Sequence, residues 1–155
     1  MLDIKQFREL LVKPVLTELQ QYSLNAEELL VFTCAAESDG GTYLKQKGGP
    51  ALGIYQCEPA THNDIWRNYI VNRHQIVSIL GMNFGVTQIP QPERMITDLR
   101  YATAICRIHY LRVKGALPDC KDVDAIWDYY KIHYNTVQGK ASKSNAIKAY
   151  ERFIA

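Results

Sequence analysis

Apolar residues recur along this chain at intervals of three and four, the spacing that gathers them on one face of a helix. Over residues 3–21 the apolar positions are Phe7, Leu10, Leu11, Val15, Leu16 and Leu19. Pro14 falls inside this helix and predicts a kink or a split, because it removes a helical N–H and crowds the turn before it. A second helix is expected from Asn25, with Glu28 three positions later completing a capping-box-like pattern. The run Leu29-Leu30-Val31-Phe32-Thr33-Cys34-Ala35-Ala36 is apolar on nearly every side, which marks a buried helix. It ends at Glu37-Ser38-Asp39, where Gly40-Gly41 supply the positive φ that stops helices.

Residues 38–57 are rich in glycine and polar side chains and read as a loop, with room for a small β-hairpin near residues 40–55. Pro59 suits the first turn of a helix running to about Ile70, and a shorter helix is expected over 71–82. Gly81 to Gln91 reads as a loop. The clearest amphipathic helix spans about Glu93 to Val113, with Leu99, Ala102, Cys106, Tyr110 and Val113 in one stripe. Gly115 and Pro118 break it, and helices follow over about 122–134 and 143–154. No internal repeat or linker interrupts the pattern. The expectation is one all-α domain over residues 1–155.

Composition narrows the function classes. The chain has 155 residues and a formal charge of +2, with its basic residues scattered rather than clustered. A dedicated nucleic-acid binder concentrates its positive charge on one face, so that class is disfavoured. No apolar run approaches the roughly 20 residues that span a membrane, so no membrane insertion is expected. The start, Met1-Leu2-Asp3-Ile4-Lys5, lacks the pattern of a secretory signal. Cys34, Cys57, Cys106 and Cys120 show no Cys-x-x-Cys spacing and are expected as free thiols made in a reducing compartment. His62, His74, His109 and His133 form no His-x-x-x-His pair, so neither a metal site nor another cofactor is expected.

One residue stands where a charge is expensive. Glu37 ends the most apolar helix, at the edge of the expected core. Desolvation disfavours the ionised carboxylate and raises its pKa. A carboxylic acid that keeps its proton near neutral pH is what glycosidic cleavage requires, because the leaving oxygen must be protonated.

Glu37-Ser38, followed by Gly49-Pro50-Ala51-Leu52-Gly53-Ile54-Tyr55-Gln56-Cys57-Glu58-Pro59-Ala60-Thr61, resembles the core of the soluble lytic transglycosylases and goose-type lysozymes. That family reads Glu-Ser, a variable loop, then Gly-Ala-x-Gly-Leu-Met-Gln with a Pro and a Thr shortly after. Here Gly53-Ile54-Tyr55-Gln56 stands in for Gly-Leu-Met-Gln. Tyr110-Leu111 resembles a Tyr-Leu pair that ends a family helix, and His133-Tyr134-Asn135-Thr136 with Gly139 resembles the family's Ala-Tyr-Asn-Ala-Gly. The resemblance spans residues 28–136, most of the chain. It implies a lysozyme-like helical fold with Glu37 as the general acid, and Ser38, Tyr55, Gln56, Tyr134 and Asn135 binding substrate. The physical content of these residue types is independent of the family. Gly48, Gly49 and Gly53 let a backbone approach a sugar closely. Gln56 offers a donor and an acceptor to amino-sugar groups. Tyr55 and Tyr134 either stack on sugars or pack in the core.

Two departures bear on the reaction. Tyr55 replaces the family's Met, and Glu58 occupies a position that is apolar in transglycosylases and Asp in goose-type lysozymes. Transglycosylases work with one carboxylate and leave a 1,6-anhydro-muramic end. A second carboxylate, roughly 6.5–9.5 Å away, can activate water for inverting hydrolysis. Glu58 directly precedes a helix-opening Pro, where the dipole favours an ionised carboxylate, and so tilts the expectation toward hydrolysis. Asp39 is the competing candidate. The resemblance thus implies a muramidase acting on the peptidoglycan glycan strand, monomeric and endolysin-like, held in the host cytoplasm until release. The alternative is a non-catalytic lysozyme-like module, such as a glycan-binding virion component.

Overall fold

The structure is a computed structural model that describes residues 1–136 and 139–155. Its architecture is all-α, with no β-strand among the described residues. The first helix, α1, covers residues 4–18 without a break: a short turn Ile4–Gln6, a π-helical stretch Phe7–Val12 and the α-helix Lys13–Glu18. The expected kink at Pro14 is absorbed here. The amide of Lys13 bonds to the carbonyl of Arg8, five residues back, so the helix runs on through a wider turn and loses only the rung that Pro14 cannot donate.

The central helix α2 is Leu24–Ser38. Its cap is Ser23 rather than Asn25: the Ser23 hydroxyl accepts from the Ala26 amide at 3.0 Å. Asn25 instead accepts from the Cys120 amide at 2.9 Å and ties α2 to a distant loop, while Glu28 is taken by Arg8. Leu29, Leu30, Val31, Phe32 and Cys34 are completely buried, as a helix without a polar face must be. Asp39 ends α2 in the left-handed conformation, and its amide and that of Gly40 bond back to Ala35 and Cys34.

Around α2 lie α3 (Pro59–Asn68), α4 (His74–Phe84), α5 (Leu99–Leu111), α6 (Val123–Tyr130, prolonged by a π-helical turn Lys131–Asn135) and α7 (Lys143–Ile154). The helix expected from Glu93 is broken. Arg94–Thr97 is a separate turn, and Asp98, in an extended conformation, caps α5 by accepting from the Tyr101 amide at 2.9 Å. Phe32 packs edge-on against Tyr130 at 5.5 Å and tilts against Tyr150 at 5.3 Å, fastening α2 to α6 and α7. Arg8 holds α1 to α2 through Glu27 (2.9 Å) and Glu28 (2.8 Å), which explains how Glu27 tolerates burial.

The expected β-hairpin reduces to isolated antiparallel bridges, Lys45 with Leu52 and Leu52 with Cys57. The stretch 43–50 is mostly exposed and carries two lysines and two glycines, so no apolar face exists for a strand to bury. The bridges still fold residues 44–57 into a compact loop against the C-terminal end of α2. Gly53 sits at φ 76° within it, where a Cβ would come within 2.5 Å of the Met95 carbonyl oxygen. This glycine admits the 94–97 turn, not a sugar ring.

Candidate functional site

Glu37 stands where the last turn of α2 meets two other segments, the 51–61 loop with the start of α3, and the π-helical end of α6. Ser38 makes the first junction. Its hydroxyl lies 2.6 Å from the Ile54 carbonyl and 3.1 Å from the Cys34 carbonyl, and accepts from the Gly41 amide at 2.9 Å. The hydroxyl therefore closes the end of α2 and pins the 53–56 segment beside Glu37. The second junction is Tyr134, whose hydroxyl donates to the Tyr55 carbonyl at 2.6 Å.

These junctions frame a cavity of about 570 Å³, lined by Glu37, Gln56, Glu58, Tyr134 and Asn135 together with Thr61, His109, Tyr130 and Lys140. Its size suits a small ligand or a segment of a polymer. Five of the seven residues expected at the site from sequence thus share one cavity. Ser38 and Tyr55 do not. Ser38 is wholly buried and spends its hydroxyl on backbone groups. Tyr55 is 1% exposed and turns into the core, its hydroxyl 3.1 Å from that of Thr103 on α5. Direct substrate contact by either side chain is excluded in this arrangement, and both position the wall from beneath.

Burial pushes the Glu37 carboxyl up from 4.5 to about 7. Three groups work against that rise by favouring the ionised form: the Tyr130 hydroxyl, the Asn135 amide and the charge of Lys131. Tyr130 donates to Glu37 Oε1 at 2.6 Å. Lys131 donates to Asn135 Oδ1 at 2.7 Å and to the Gly139 carbonyl at 2.7 Å. With its oxygen held by Lys131, the Asn135 amide group is left as a donor. Gly139 is required for this arrangement, because a Cβ there would lie 2.1 Å from Asn135 Oδ1.

Gln56 has a left-handed backbone (φ 47°) and gives one amide hydrogen to the Gly53 carbonyl at 2.8 Å. Its second N–H and its oxygen remain for a ligand. Glu58, the residue before α3, is exposed on the cavity wall and caps nothing with its side chain. Asp39 lies on the other side of Glu37 and pairs with Arg152 at 3.0 Å. His109 is pushed down to about 4, first by burial and then by the charge of Arg112, and its ring lies 4.8 Å from that of Tyr134, tilted by 35°.

Sequence reasoning missed Tyr130, Lys131 and His109. Tyr130 and Tyr134 are four residues apart, so on a helix one lies above the other, and this was the signal that could have found the first. All four cysteines are free thiols, three of them buried. No helix among the described residues is long and apolar enough to cross a membrane. The chain matches no family model, no curated protein and no solved structure in comparisons with each.

Proposed function

We propose that this protein is a glycosidase of the bacterial cell wall, cleaving the β-1,4 bond between N-acetylmuramic acid and N-acetylglucosamine, with Glu37 as the general acid. The observation that carries the reading is the carboxyl of Glu37, pushed up to about 7 by burial on the wall of a polar cavity. A carboxyl with that pKa holds a proton near neutral pH and can return to the proton-bearing state after giving it up, which matches its task of protonating a leaving oxygen. The resemblance of Glu37-Ser38, Gly53 to Gln56 and Tyr134-Asn135 to the lytic transglycosylases and goose-type lysozymes points the same way.

The roles follow from the geometry. Tyr130 orients one oxygen of Glu37 and the Asn135 amide also engages the carboxyl, which holds it toward the cavity. Gln56 and the Asn135 amide, both on the cavity wall, supply donors to the acetamido and hydroxyl groups of the sugars. Glu58 lines the same cavity in an exposed position, where a carboxylate can activate water, so hydrolysis is the favoured route. Transglycosylation is the competing outcome, and the masses of the sugar ends decide between them. An endolysin-like role, with the protein held in the cytoplasm until it gains access to the wall, belongs to the same proposal.

The test is wall lysis by Glu37→Gln, a variant that keeps the shape and removes the transferable proton. It is expected to fold, to retain binding to insoluble peptidoglycan and to lose about 10²–10⁴-fold in lysis rate. A wild-type protein that binds peptidoglycan and releases no sugar ends would instead identify a non-catalytic glycan-binding module.

A further inference from the structure

The groove does not stop at Glu37. A second recess of about 340 Å³ opens beyond it and shares Ala36, Glu37, Lys140 and Ala141 with the first. Its walls include Asp39, Tyr43 and, from α7, Asn145 and Arg152. Glu37 thus lies at the meeting point of two arms, the position a cleaving group needs if the polymer extends both ways.

The arms differ in charge. On the first arm stands Glu58, exposed and without an ion-pair partner among the described residues. The second arm is lined by Lys140 and Arg152 and, besides Glu37 itself, by the carboxylate of Asp39, with Lys47 just outside. Arg152 is matched by Asp39 at 3.0 Å. Lys140, at the junction, has no ion-pair partner among the described residues, and neither does Lys47, whose ammonium sits 4.9 Å over the ring of Tyr43 at the lip of the recess. Lys140 lines both arms and Lys131 acts on Glu37 between them, so the arms differ in the charges at their far ends, Glu58 on the first and Lys47 at the lip of the second.

On the reading of the site proposed above, the substrate has a matching asymmetry. The glycan backbone of peptidoglycan is uncharged, and its regularly spaced carboxylates belong to the peptide stems carried by alternate sugars. We infer that the second arm seats the acidic peptide stem, with Lys140 at the junction as the residue that selects stem-bearing strands. The muramyl sugar then lies with its stem toward α7, and the unsubstituted glucosaminyl sugar lies toward Glu58. An anion placed the other way would face Glu58, and like charges in register oppose binding.

The experiment compares two purified glycan strands, one with its peptide stems and one stripped of them with the freed lactyl carboxylates capped as amides so that it carries no charge, digested by the wild type, Lys140→Gln and Lys140→Glu. The wild type is expected to prefer the stem-bearing strand. Lys140→Glu should lower kcat/KM on that strand roughly tenfold, mainly through KM, with Lys140→Gln intermediate. Both variants should lose clearly less on the stripped strand than on the stem-bearing one, and the preference of the wild type should shrink at high salt. An equal loss on both strands would make Lys140 a shaping residue only and overturn the stem assignment, as would no loss on either. Failure of the wild type to cleave either strand would overturn the glycosidase reading itself, and so the two failures are distinguishable.

Discussion

The hydroxyl of Tyr130 donates a 2.6 Å hydrogen bond to Glu37 Oε1, joining the end of α2 to α6 across 93 residues of sequence. A hydroxyl donated to a carboxylate stabilises the ionised form, so Tyr130 holds the pKa of Glu37 below the value that burial alone would set. Activity that needs the protonated acid is lost as pH rises through that pKa. Tyr130→Phe is therefore expected to shift the alkaline limb of the pH–lysis profile upward, with a lower maximum because one oxygen of Glu37 loses its orienting partner. Lys131→Met should move the limb in the same direction, since the charge of Lys131 also favours the carboxylate. A limb that stays in place, or moves down, in both variants would show that neither group acts on Glu37.

The raised pKa carries a stability consequence. The folded chain binds the Glu37 proton more tightly than the unfolded chain, whose carboxyl titrates near 4.5. The contribution is fully present below pH 4.5 and is lost as pH rises to about 7 and beyond. Relative to wild type, Glu37→Gln should be near neutral at pH 4.5 and more stable at pH 8, by at most about 3 kcal/mol. Denaturant unfolding of both proteins at the two pH values checks this. A difference that does not grow with pH would place the carboxyl in water.

Ser38 contributes mainly through backbone contacts. Ser38→Ala leaves the Ile54 carbonyl and the Gly41 amide without their buried partner and is expected to cost about 1–3 kcal/mol in unfolding experiments. Lysis should fall as well, because the 53–56 segment is no longer held against Glu37. Full stability in the alanine variant would contradict the role given to this hydroxyl.

Much of this was legible from hydrophobic spacing. The helices over 59–68, 123–130 and 143–154 lie close to their expected places because their apolar stripes meet one shared core, and that over 24–38 does so because it is apolar all round and fills that core. Boundaries set by single side chains were less legible. The cap expected at Asn25 is Ser23 instead, because a tertiary contact that no local pattern shows assigns Asn25 to the Cys120 amide. Pro14 predicts a disturbance, yet the pattern cannot say that a π-helical turn absorbs it. At the site, Glu37 stood out because a charge ends an apolar helix. Ser38 and Tyr55 turn into the core, because adjacency to a site residue does not fix the direction of a side chain. Tyr130 was hidden among ten tyrosines, most of which pack.

Cys34, Cys57, Cys106 and Cys120 are all free. A thiol titration of the unfolded protein without reductant should find four reactive groups. Fewer than four would reveal a disulfide and contradict the arrangement described above.

The central claim is that Glu37 delivers a proton to the glycosidic oxygen of the wall polymer. Mass analysis of the sugar ends released from purified peptidoglycan tests it most directly. The account predicts that wild type releases muropeptides with reducing muramic ends, that Glu37→Gln releases almost none, and that Glu58→Gln is severely slowed. Products carrying 1,6-anhydro-muramic acid throughout, with Glu58→Gln fully active, would contradict the role of Glu58 and make the reaction transglycosylation. Undiminished release of sugar ends by a folded Glu37→Gln would contradict the account as a whole.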